Sequence, residues 1–142
     1  MNNFLSLNPA NGKKIFFASD FHLGSYEHEK DKREEKVVAW LKSIENQASA
    51  IFLLGDIFDF WYEYKHVVPK GHIRFLGQLM HMIDAGVNVY FFTGNHDKWF
   101  FDYFPKEFNI PVYEKPLHLK SDKHDFLIAH GDGLGPGDET YK

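Results

Sequence analysis

The chain of 142 residues contains no cysteine. Disulfides and thiolate metal sites are therefore excluded, and a reducing compartment suits it. No apolar stretch is long enough to span a bilayer. The opening Met1-Asn2-Asn3-Phe4-Leu5-Ser6 has no basic segment ahead of a long apolar one, so no signal peptide is expected. The expected location is the cytoplasm. Positive charge is also in short supply: 16 Lys and Arg against 20 Asp and Glu give a net charge of -4. A nucleic-acid partner, which would call for a basic face, is not expected. The size fits one domain, and 44% apolar residues can fill its core.

What the chain does have is four short apolar runs, each ending in polar residues of the kind that bind metals. Ile15-Phe16-Phe17-Ala18 leads to Asp20 and His22. Ile51-Phe52-Leu53-Leu54 leads to Gly55-Asp56, Val89-Tyr90-Phe91-Phe92 to Gly94-Asn95-His96-Asp97, and Phe126-Leu127-Ile128-Ala129 to His130-Gly131-Asp132. Such runs read as buried strands. Between them lie helical patterns. One starts at Asp31, with Glu34 at capping-box spacing and Val37, Leu41, Ile44 and Ala48 on one face. A second covers about 69–85, with Pro69 at its start, Gly86 at its end and Ile73, Leu76, Met80 and Ile83 as its inner stripe. A short third helix is expected near 98–108, interrupted or ended around Pro105. Strands alternating with helices predict an α/β fold with a mostly parallel sheet built from βαβ units.

In open sheets of this kind the site lies beyond the carboxyl ends of the strands. Asp20, His22, Asp56, Asn95, His96 and His130 should therefore converge on one edge. Packing these carboxylates and imidazoles together is unfavourable unless a cation sits among them. Oxygen and nitrogen donors suit manganese, iron(II) or zinc. Gly55 permits the tight turn that exposes Asp56, and a carboxylate there can bridge two cations. Asp59 reads as a helix cap or as a group standing behind the ligands. Asp97, next to His96, can orient that imidazole and raise its pKa.

The order Asp-x-His, Gly-Asp-x-x-Asp, Gly-Asn-His-Asp and His-Gly-Asp resembles the calcineurin-like metallophosphoesterase superfamily, from Asp20 to Asp138. The resemblance implies two divalent cations, with manganese preferred and zinc or iron(II) as alternatives. Asp20, His22 and Asp56 would bind one, and Asp56, Asn95 and His130 the other. His96, with Asp97, would be catalytic, and Asn95, His96 and Asp138 would meet substrate. Ala18-Ser19-Asp20-Phe21-His22-Leu23-Gly24, Gly55-Asp56-Ile57-Phe58-Asp59-Phe60-Trp61 and His130-Gly131-Asp132-Gly133-Leu134 are most similar to the UDP-2,3-diacylglucosamine diphosphatases of lipid A synthesis. That branch implies cleavage of a UDP-linked acylated sugar to UMP and the sugar 1-phosphate. Its best-known members carry Arg where this chain has His96, so the same motifs also fit another phosphoesterase substrate, a nucleotide or a phosphoprotein.

The family's closing Gly-His-x-His motif is absent from this sequence. The chain is accordingly expected to be the N-terminal part of one domain, half of an αββα sandwich lacking the C-terminal sheet and helical lid. As a fragment it would bind metal weakly, turn over poorly and self-associate through an uncovered sheet face. A non-catalytic fragment is the third reading. Aromatics make up 18% of the chain. Two groups, Phe58 to Tyr64 and Trp99 to Phe104, follow the second and third motifs. They suit an acyl chain, a peripheral contact with the inner membrane, or the core. Lys65, His66, Lys70 and Arg74 nearby can meet phosphates or form a solvated helix start.

Overall fold

The computed structural model describes residues 3–25 and 30–136. Within them the order is β1 (Phe4–Ser6), β2 (Lys14–Ala18), α1 (Lys30–Ile44), β3 (Ala48–Leu53), α2 (Ile73–Asp84), β4 (Asn88–Phe92), α3 (Tyr103–Phe108), β5 (Val112–Tyr113), β6 (Leu117–Ser121) and β7 (His124–Ile128). Strands β2-β3-β4-β5 form one sheet, parallel throughout. Phe17 lies opposite Phe52, and Leu53 opposite Phe91. Strands β1-β6-β7 form a second sheet, in which β1 runs parallel and β7 antiparallel to β6.

Side-chain alternation places the parallel sheet between two cores. Ile51, Leu53, Val89 and Phe91 face the helices, packing with Leu41, Phe75, Leu79 and Met82. Ala50, Phe52, Tyr90 and Phe92 face the other way, against Leu117, Leu119 and Ile128 of the second sheet. A strand buried on both faces must be apolar at every position, which is why these runs are continuous rather than alternating. The α/β parallel architecture is as the sequence predicts. The second sheet, however, already begins within this chain. Its first strand, Phe4–Ser6, is three residues long and carries too little pattern to stand out.

The helices differ from expectation in detail. Ala48 opens β3 instead of extending the α1 stripe. In α2 the buried face is Phe75, Gln78, Leu79 and Met82, while Ile73 is 78% exposed. Leu76, Met80 and Ile83 pack at the margin of the core. The expected stripe is thus rotated from the true one, and α2 starts at Ile73, not near Pro69. Gly71 and His72 hold left-handed φ of 97° and 60° just before it, and His72 provides no side-chain cap. The cap comes from α1: Glu34 Oε1 accepts hydrogen bonds from the N–H groups of Arg74 and Phe75 at 3.0 and 3.2 Å. Glu34 therefore serves the next helix, not a capping box of its own. His72 packs on Phe58 and Trp61. Burial there holds its pKa below the ordinary imidazole value, with the charge of Glu34 pulling partly back.

Pro105 sits inside the first turn of α3, where its missing N–H costs no helical bond. This helix too is capped from a distance. Glu63 Oε2 accepts from the N–H groups of Phe101, Asp102 and Tyr103, and its Oε1 from the indole of Trp61. Among the described residues no helix is long and apolar enough to cross a membrane.

Candidate metal centre

The loops after β2 and β3 run side by side past the sheet edge. Asp20 N–H bonds to Gly55 O, His22 N–H to Asp56 O and Leu23 N–H to Ile57 O, at 3.0–3.1 Å. Asp20, His22 and Asp56 all hold positive φ, at 57°, 46° and 52°, a conformation costly for residues with a Cβ. The Arg33 guanidinium, from α1, donates to the carbonyl of His22 at 3.2 Å. The loop after β4 packs against the same place without room for a methyl group. A Cβ on Gly55 would lie 2.7 Å from His130 Nδ1, and one on Gly94 would overlap Asp56.

Asp56 is 4% exposed and lies at the middle of the arrangement. Its Oδ2 is 3.7 Å from His22 Nε2 and 3.5 Å from His130 Nε2. His22 Nε2 is also 3.6 Å from Asp20 Oδ1. His130 Nε2 is 3.3 Å from Asn95 Oδ1. Two groups of three donors thus share one carboxylate: Asp20, His22 and Asp56 on one side, Asp56, Asn95 and His130 on the other. Bonds of about 2.0–2.2 Å to a common ion put neighbouring donors about 3–3.5 Å apart, so these separations fit two cations after small adjustment.

Both imidazoles are set for this task by their other nitrogen. His130 Nδ1 is 2.7 Å from the carbonyl oxygen of Leu54. A carbonyl only accepts, so Nδ1 carries a proton, and Nε2 is the nitrogen that faces Asp56. His22 Nδ1 faces Asp59 Oδ1 at 3.3 Å. Asp59 thus stands behind a candidate ligand rather than capping a helix. It also meets His96, whose Nδ1 is 3.1 Å from Asp59 O and 3.6 Å from Asp59 Oδ1. His22, Asp59 and His96 form a further group able to approach one ion. The bond from Asp59 to Nδ1 of His22 makes it the outer partner there.

The structure places Asp97 differently from its expected role beside His96. Its carboxylate accepts hydrogen bonds from the backbone N–H groups of Gly94, Asp56, Ile57 and Phe58. Its side chain is completely buried. Burial pushes its carboxyl above the usual range, against the pull of the bonds from Phe58, Gly94 and Asp56. The imidazole of His96 is held by Asp59 instead. Asp138 lies outside the described residues.

A description of the calcineurin-like phosphoesterase family matches residues 13–140. This chain belongs to that family. Curated relatives agree with the placement. It is 44% identical over 120 residues to a UDP-2,3-diacylglucosamine hydrolase of Porphyromonas gingivalis, covering 84% of this chain and 46% of the relative. Proteins of the same name from Proteus mirabilis and Haemophilus influenzae are 34% and 33% identical, over 89% and 92% of this chain and 51% and 53% of theirs. The chain spans about half the length of the curated relatives it matches. Calcineurin-like phosphoesterases use divalent metal ions, and candidate groups to hold them are present here, Asp20, His22 and Asp56 together with His22, Asp59 and His96.

Two further surfaces flank these donors. Next to His130 is a cavity of about 410 Å³, reached by Lys98, Tyr113, Glu114 and Lys115. Next to His96 the aromatic groups divide. Phe58, Trp61, Phe100 and Phe104 are core. Phe60, Tyr64, Trp99 and Phe101 are exposed and join through Tyr62 into one shelf, with ring centroids 4.8–6.1 Å apart. Arg33, Leu54 and Glu63 left no sequence signal of their parts. Two work through or upon backbone atoms, and the third caps a helix 38 or more residues away.

Proposed function

We propose that the chain carries the metal-binding half of a hydrolase that cleaves the diphosphate of a UDP-linked acylated sugar, releasing UMP and the acylated sugar 1-phosphate. The observation that carries this reading is Asp56 Oδ2 lying within 3.7 Å of both His22 Nε2 and His130 Nε2. The chemistry that a bound pair of cations supplies is charge neutralisation at the phosphoryl group and activation of water. Asp20, His22 and Asp56 would hold one ion, and Asp56, Asn95 and His130 the other. Manganese is the metal proposed, from the mixed oxygen and nitrogen set. His96, exposed and held by Asp59, would give a proton to the departing oxygen or bind the phosphate.

The two flanks support the choice of substrate class. A cavity of mixed lining, with Tyr113 and Phe92 beside Lys98, Lys115, Glu114 and Asp132, suits the nucleotide end, and the aromatic shelf suits acyl chains. The relatives' name points the same way. The shelf is also proposed as a peripheral contact with a membrane surface. Reading the chain as the N-terminal part of one domain rests on its spanning half of each relative. Further ligands then come from the rest of the domain, and this chain alone binds metal weakly and self-associates through the exposed β7 residues Phe126 and Leu127.

The test is hydrolysis with added manganese, using UDP-2,3-diacylglucosamine and bis-p-nitrophenyl phosphate in parallel, on this chain and on a form extended to the relatives' length. UMP release from the first substrate by the extended form is the expected result. Cleavage of the diester alone would favour a phosphoesterase with another substrate, such as a nucleotide or a phosphoprotein. No cleavage by either form, with metal bound, would leave the non-catalytic reading.

A further inference from the structure

Asp97 receives four backbone N–H groups from two separate loops. Gly94 and Asp56 donate to Oδ1 at 2.9 and 3.0 Å, Ile57 and Phe58 to Oδ2 at 2.8 and 3.1 Å. The stitch is reciprocal. Asp56, whose backbone Asp97 holds, accepts from the backbone N–H of His96 through its own Oδ1 at 3.0 Å. Oδ1 of Asp56 is thereby occupied, and Oδ2 is the oxygen left facing His22 and His130. Three successive amides, Asp56 to Phe58, can point at one carboxylate only with the backbone turned as it is, and Asp56 has φ of 52°. Left to itself, a residue with a Cβ leaves that region. Every bond in this set joins protein to protein, so none of them waits for an ion.

We propose that Asp97 is a positioning residue that assembles the Asp56 arrangement before any metal arrives. The opposing picture is that the cations themselves draw the loops together, as they do where metal binding and folding are one event. The two pictures differ in the metal-free protein. The proposal rests on the two-cation reading only for its metal-affinity arm.

The experiment is amide hydrogen exchange by NMR on the 142-residue chain stripped with chelator, beside titration with Mn²⁺. The N–H groups of Gly94, Asp56, Ile57 and Phe58 are expected to exchange about a hundredfold or more slower than open amides in the metal-free chain. Asp97→Asn keeps the shape but turns an NH₂ toward donors. It should speed exchange at these four positions and weaken Mn²⁺ binding about 10- to 100-fold. Near-UV circular dichroism of the aromatic core should stay unchanged, and excess Mn²⁺ should restore the lost protection. Unprotected amides in the metal-free wild type would overturn the proposal, as would wild-type Mn²⁺ affinity in Asp97→Asn. If that variant does not fold, exchange in the wild type still decides. A wild type that binds no Mn²⁺ yet keeps these amides slow would remove the two-cation reading and leave the loop anchor standing.

Discussion

His130 hangs from the backbone of Leu54, its Nδ1 2.7 Å from that carbonyl oxygen. The two residues are 76 positions apart and follow strands of different sheets, yet Leu54 immediately precedes the Gly55-Asp56 turn. One segment therefore supplies the central carboxylate and also fixes the imidazole opposite it. Removing either end of this link disturbs both groups of donors at once.

Asp56→Ala should lose both metals and essentially all hydrolysis, since its carboxylate lies between the two histidines. Elemental analysis after gel filtration in manganese, done on the extended form, measures this. Two metals per chain in the variant would refute the shared-ligand assignment.

His96→Ala should keep the metals and slow turnover by about 10²–10⁴-fold, the range for a group that moves a proton. Its Nδ1 meets Asp59, and its ring stands edge-on to His22, with centroids 4.9 Å apart. Metal content and kcat measured on the same sample separate the outcomes. Metal loss with an unchanged rate per bound metal would make His96 a ligand.

Glu63→Ala should destabilise the fold by about 2–4 kcal/mol, because three backbone N–H groups and the Trp61 indole lose their acceptor together. Urea denaturation reads this as a lower midpoint. A change under half a kilocalorie, roughly the scatter of surface substitutions, would show that water replaces the carboxylate.

His72 makes stability depend on pH. Its folded pKa is lowered by burial, so below about pH 6.5, where a free imidazole takes up a proton, the unfolded chain binds a proton that the folded chain resists. Stability from this group is present above that pH and is lost as pH falls toward the folded pKa. Asn tolerates the left-handed backbone at this position. The stability advantage of wild type over His72→Asn should therefore shrink between pH 7.5 and 5.5 in metal-free urea titrations. An advantage that stays constant across that range would contradict the assignment.

Leu127→Lys should reduce self-association of this chain, since Leu127 is 63% exposed on an edge strand. Light scattering across a concentration series gives the mass. A wild-type chain that is monomeric throughout would remove the self-association proposal.

Strands β3 and β4 were legible because burial on both faces leaves uninterrupted apolar runs, whereas the run of β2 is only partly buried, with Phe17 42% exposed. The start of α2 was not legible. It depends on Gly71, His72 and a carboxylate from another helix, and no local pattern encodes Glu34 reaching Arg74 and Phe75. The same limit applies at the candidate centre. Asp20, His22, Asp56, Asn95 and His130 stand out as residue types at strand ends, which is a local property. That Asp97 would face the amides of 56–58 instead of His96, and that Asp59 would serve both His22 and His96, depends on how three loops stack. Sequence spacing alone does not carry that information.

The donors around Asp56 also measure strand alignment. They come from the ends of β2, β3, β4 and β7, and each strand advances about 3.3 Å per residue. A slip of one residue between β3 and β4 would displace Asp56 from Asn95 by more than a metal–ligand bond of about 2.1 Å. Misaligned sheets could still bury much of their apolar surface, but they would present scattered donors. A cation that binds the aligned sheet alone acts as a proofreader, withdrawing correctly registered chains from the misregistered pool.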